Sequence, residues 1–302
     1  MNKEMRENKK GRQYIIDLHK KRSFIAMIAC FVSVIFAIYA IVAGLILYAE
    51  TGVKPIDLFQ YFTIDANALT ALSAAMILPY AIEGFRKKRF YCPKWAVYLY
   101  YIGVTCTTMT MLVAVFVISL VDFELAFLGY NFYLHIICPI MILITFFFIE
   151  SYYEIKLKIS LMAVIPVFIY ALVYIYEVII IGEKAGGWKD IYHFTTVHPI
   201  IPFVIMMYIA FLIATLIAFA YNKISAIRVK RMTDRLWGDE VSDVEVKVEV
   251  FGLGRFMGSK ENKSYATLPL DIIFLIADRY KIKREDLIRV YIKGMLDSIE
   301  NK

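Results

Sequence analysis

Six stretches of this chain are apolar for long enough to form membrane-crossing helices. They cover about 24–48, 57–84, 95–121, 128–150, 158–181 and 199–221. Each exceeds the ~20 helical residues that span a hydrocarbon core of about 30 Å. In lipid only helices and closed barrels satisfy their own backbones, and the ten-residue alternation of barrel strands is absent. The first stretch is too long for a signal-peptide core and lacks a small-residue cleavage site, so it reads as a retained helix. Short loops predict that consecutive helices are antiparallel neighbours.

The pattern changes outside these stretches. Residues 1–23 read as a mobile basic arm. Beyond 236 the chain looks soluble. VEVKVEV (244–250) alternates with period two and predicts a half-buried strand, FGLGRFMGSKENKS follows as a glycine-rich turn, and 267–280 and 284–300 predict two amphipathic helices. GLGRFMG lacks both the GxGxxG spacing and the following lysine-serine pair of a phosphate loop, so it reads as an ordinary turn. The expected fold class is an all-α polytopic membrane protein with six transmembrane helices and a small α/β cytoplasmic tail. Its parts are a basic arm (1–23), a membrane domain (24–221), and a basic flank with the tail (222–302).

Composition agrees: 60% of the residues are hydrophobic and 20% charged, with a mean hydropathy of +0.62, far from a soluble average. Lysine and arginine settle the expected orientation. Residues 1–23, 85–94, 151–158 and 222–235 carry twenty of them, and the alternate loops 49–57, 122–130 and 182–198 carry three. The expectation is a multi-pass protein of the cell membrane with both termini in the cytoplasm. The net charge of +7 is mostly this asymmetry. It requires no nucleic-acid partner, and the basic face should attract anionic lipid. Three of the four cysteines fall within helices and Cys92 in a cytoplasmic loop, so no disulfide framework is expected.

Polar residues inside the spans carry the candidate chemistry. YFTIDANALT (61–70) opens the second span, and GYNFYLHIICP (129–139) opens the fourth. Both spans run inward, and Thr63 and His135 fall at matched depth, ~9–11 Å below the outer boundary at 1.5 Å per residue. Asn67 shares a helix face with Thr63, and Asn131 shares one with His135. Asp65 points elsewhere and needs a different partner or an aqueous path. A hydroxyl beside an imidazole is the minimum for nucleophilic acyl chemistry. Asn67 or Asn131 would orient the ring or donate to an oxyanion. The competing readings are plain: a membrane threonine usually bonds back to its own helix, and a buried histidine can simply join two helices.

Other polar residues read as structure. Cys138 and the run TCTTMT (105–110) suit packing. His193 and His198, with Trp188 and Tyr192 in the last outer loop, form either a lid or an interfacial anchor. No metal site is expected, because the histidines lack ligand spacing and a carboxylate companion.

YFT at 61–63, N-x-x-x-H-x-x-x-P at 131–139 and W…Y-x-F at 188–194 resemble the androgen-induced-gene family in order and helix position. The similarity covers about 24–221 and leaves the tail without a counterpart. Its animal members are six-helix membrane threonine hydrolases that cleave fatty acid esters of hydroxy fatty acids. The resemblance implies Thr63 as nucleophile, His135 as its partner, a lipid-like acyl-ester substrate and no cofactor. The alternatives are a non-enzymatic lipid-binding or transport protein, and a membrane sensor serving the tail.

Overall fold

The protein is described by a computed structural model that covers residues 3–52, 54–87, 92–148, 155–192, 200–237, 250, 273, 276–277 and 280–300. It is all-α, with no strand among the described residues. Six helices are long and apolar enough to cross a membrane: Lys21–Glu50, Phe62–Arg86, Lys94–Ile118, Tyr130–Phe148, Leu157–Ile181 and Ile201–Arg228. This is a multi-pass membrane protein.

The helix boundaries depart from the hydropathy reading where local chemistry intervenes. The first helix runs unbroken from Lys3 to Glu50, so the basic arm continues the span, as its many helix-favouring residues allow. The second span starts at Phe62 rather than near 57. Pro55 opens a 3₁₀ turn, Pro55–Gln60, and Tyr61 is extended. The fourth starts at Tyr130 because Gly129, at φ +60°, takes a backbone conformation that suits glycine and breaks the helix. The sixth runs on to Trp237 through its basic flank. In the tail, the predicted helix 284–300 is present as Arg284–Glu300. Residues 244–249 of the expected strand and most of 267–280 lie outside the described residues, and Val250, the last residue of that expected strand, is helical.

The third span is the most enclosed. It touches the second, fourth and sixth, while the first packs along the second and fourth. With no hydrophobic drive between helices in lipid, small residues and interhelical hydrogen bonds set the packing. Gly103 lies against Thr70 and Ser73, where even a methyl group would meet the Thr70 hydroxyl at 2.8 Å. Tyr101 donates to the Ala214 carbonyl at 2.6 Å and pairs with Ser160 at 3.0 Å, binding the third span to the sixth and fifth. Asn222 clasps the Ile155 backbone from both sides, each bond 3.0 Å long. The large exposed side chains, among them Phe116, Leu120, Ile180, Tyr208 and Phe219, belong to the surface that faces lipid.

Orientation has a direct test. Ala126 is fully buried and makes a poor reporter, whereas Glu124 and Arg86 are exposed. In a cysteine-free background, Glu124→Cys should react with an impermeant thiol reagent on intact cells and Arg86→Cys should not. The reverse pattern inverts the charge-based topology.

Candidate functional site

The site in the second and fourth spans is built around a proline. Pro139 has no N–H, and its ring clashes with the carbonyl four residues earlier in an α-helix. That carbonyl belongs to His135. The backbone widens there into a π-type turn, Tyr133–Ile137, a distortion frequent at functional sites. The buried His135 ring meets the Ala126 carbonyl at 2.7 Å through Nδ1. Ala126 lies in a short helix, Phe123–Phe127, whose first turn is capped by Asp122 accepting from the Leu125 N–H at 2.8 Å.

A carbonyl can only accept, so Nδ1 carries the proton. In the neutral imidazole Nε2 is then a bare acceptor. A backbone carbonyl thus orients the imidazole, as the acid does in a hydrolase triad. Sequence reasoning missed Ala126, although Pro139 four residues after His135 was a usable signal for the distortion.

Asn67 ties the two helices together. Its Nδ2 donates to the Thr63 carbonyl at 2.8 Å and the Leu134 carbonyl at 3.2 Å. Those two oxygens therefore lie within about 6 Å of each other, the combined length of the two bonds, and residue 63 is level with residues 134–135. Both amide protons of Asn67 are spent, so it has none left for an oxyanion. Its Oδ1 is buried and has no hydrogen-bond partner.

Most threonines in the spans are committed. Thr70, Thr105, Thr107, Thr110, Thr145 and Thr215 donate to carbonyls three or four residues earlier, the usual membrane arrangement. Thr63 is not. Its hydroxyl makes no hydrogen bond among the described residues, and the side chain is half-buried. No hydrogen bond joins Thr63 to His135. Asn131 is also half-buried, and its side chain has no partner among the described residues. Thr108 has a buried hydroxyl without a partner.

No family model, curated protein or solved structure matches this chain.

A second polar group surrounds the start of the second span. Tyr170 donates to the Gln60 carbonyl at 2.6 Å. The Tyr192 oxygen faces the Tyr170 hydroxyl and the Phe62 N–H as an acceptor. Tyr174 bonds Asp190 at 2.9 Å and receives the Tyr192 N–H at 3.2 Å. Trp188 packs on the Tyr170 and Tyr174 rings, with centroids 6.4 and 6.2 Å away. The last loop before the sixth span is thereby held against the fifth span by Trp188, Asp190 and Tyr192. His193 and His198 lie outside the described residues. Burial first, then the Tyr61 and Asp65 charges, push the Tyr192 phenol up to about 12, against the pull of its own hydrogen bonds. It therefore stays protonated at any ordinary pH. Among the described residues, no three His, Cys, Asp or Glu side chains gather as metal ligands.

Proposed function

We propose that this protein is a membrane-embedded lipid-ester hydrolase or acyltransferase, with Thr63 as nucleophile and His135 as general base. One observation carries the reading: the Thr63 hydroxyl, alone among these threonines in being uncommitted and only half-buried, lies at the depth of a histidine whose Nε2 is an open acceptor. The resemblance to the androgen-induced-gene hydrolases supports the same pair.

In this mechanism Thr63 Oγ passes its proton to His135 Nε2 and bonds the ester carbonyl carbon. The tetrahedral intermediate collapses, the alkoxy C–O bond breaks, and the leaving oxygen takes the proton from His135. Water deprotonated by His135 then attacks the acyl-threonine, and Thr63 regains its proton as the fatty acid departs. An alcohol in place of water makes the reaction a transfer. Asn67 positions the two helices. Asn131 is the amide with protons to spare and serves as the oxyanion donor.

The test is release of fatty acid from p-nitrophenyl esters of graded chain length by the purified full-length protein in detergent. Activity should rise with acyl length, and Asn131→Leu should lower kcat by about 10²–10³-fold, the usual loss for one oxyanion donor. An Asn131→Leu variant with full kcat removes that residue from the chemistry.

A further inference from the structure

The connection between the third and fourth spans holds His135 through a single atom. Of its short helix, Phe123–Phe127, Ala126 alone is buried, and the Ala126 carbonyl meets the His135 ring. The apolar side chains around it are uncovered. Leu120 is 81% exposed, Phe123 66%, Leu125 51% and Leu128 57%. A contiguous apolar stretch of this kind marks a surface that something other than water covers.

The histidine bond fixes the depth of that surface. The fourth span, Tyr130–Phe148, has 19 residues, ~28 Å at 1.5 Å per residue, and so it only just crosses a hydrocarbon core of about 30 Å. Tyr130 therefore stands at the edge of the core, and His135, five residues on, is ~7 Å inside it. A carbonyl 2.7 Å from that ring cannot belong to a loop arched above the headgroups. The connection turns back to the level of the span's first two turns. Along the chain its exposed side chains fall between Phe116 and Phe132, which are exposed on the two flanking spans. Residues 119–129 contain no lysine or arginine. Their charges are Asp122, which caps the short helix, and Glu124. Two carboxylates limit insertion to the interface, because a charge in hydrocarbon is costly. The resulting depth is the ~5–10 Å layer between headgroups and acyl chains in which interfacial segments lie.

We propose that this connection inserts into the leaflet at the charge-poor face, and that its contact with lipid holds the Ala126 carbonyl on His135. The imidazole is then oriented only while the membrane accepts Leu125 and Leu128. The inference deepens the hydrolase reading, in which this restraint prepares the general base, but neither measurement below needs Thr63 to react.

The first measurement is electron paramagnetic resonance of nitroxides attached to Leu125→Cys and Leu128→Cys, one at a time, in a cysteine-free background in phosphatidylcholine vesicles. Both labels should collide with oxygen more than with a water-soluble nickel chelate, as a label at Phe116→Cys does. A label at Lys184→Cys, exposed in the next connection on the same face, should show the opposite. Nickel collisions at 125 and 128 as frequent as at 184 overturn the insertion, whatever any further variant does. The second is nitrogen-15 magnetic resonance of histidine-labelled protein in the same vesicles, with the His135 signals assigned by their loss in His135→Gln. Wild type and Leu125→Met/Leu128→Met should show a protonated Nδ1 and a bare Nε2. Leu125→Asp/Leu128→Asp should lose that signature for the mixed tautomers of a free imidazole. An unchanged signature in the aspartate pair overturns the coupling between lipid contact and His135.

Discussion

Thr63→Ala abolishes covalent labelling of the purified protein by a fluorophosphonate probe, and Thr63→Ser retains it. This is the largest effect expected of any single substitution here, because it removes the only atom proposed to bond the substrate. His135→Ala should slow labelling by about 10²–10⁴-fold, the range for loss of a positioned general base. The losses should not add in the double variant, since both residues serve one step. The Ala126 carbonyl makes the histidine prediction specific. It fixes the proton on Nδ1, so His135→Gln preserves much of the volume while losing the basic nitrogen, and should be as slow as His135→Ala. Size-exclusion profiles matching wild type separate chemistry from misfolding. Undiminished labelling of Thr63→Ala would dismiss the threonine outright.

The second large effect lies in packing. A Cβ at Gly103 would stand 2.8 Å from the Thr70 hydroxyl, 3.1 Å from the Thr70 Cα and 3.3 Å from the Ser73 hydroxyl. The Thr70 hydroxyl is held by its bond to the Ala66 carbonyl at 2.7 Å, and a Cα cannot rotate aside. The helices must therefore separate. Gly103→Ala gains up to about 1 kcal/mol in helix propensity but meets overpacking of about 1–3 kcal/mol. A net loss of stability follows. Gly103→Leu should prevent the second and third spans from docking and drive the protein into aggregates on size exclusion. Because the second span also carries Thr63 and Asn67, Gly103→Ala should reduce labelling at Thr63 in parallel with its stability. A Gly103→Ala variant as stable as wild type would mean that this contact does not set the spacing.

Particular residues show how far reading along the chain reaches. The count that put Thr63 and His135 at one depth assumed span starts near 57 and 128; from the helix starts at Phe62 and Tyr130 it no longer does so, and it is the Asn67 bridge that places the Thr63 and Leu134 backbones level. That Asp65 faces away from this pair follows from the helical period. The helix starts were displaced by single residues: Pro55 turned the chain before the second span, and Gly129 delayed the fourth. Hydropathy averages over windows and is blind to one φ angle. The role proposed for Asn67 as an oxyanion donor was equally open until its two amide protons were found on backbone carbonyls.

The amino-acid order alone determined the six spans and the charge asymmetry between the two faces. Transfer into lipid depends on the composition of a stretch and hardly on its neighbours, so it can be read one segment at a time. Only the packed bundle decided which polar groups meet: the His135 ring and the Ala126 carbonyl, Asn67 between two helices, and the Tyr101 hydroxyl against the sixth span. A helical period gives each side chain a direction, and what stands in that direction depends on the packing of the remaining helices.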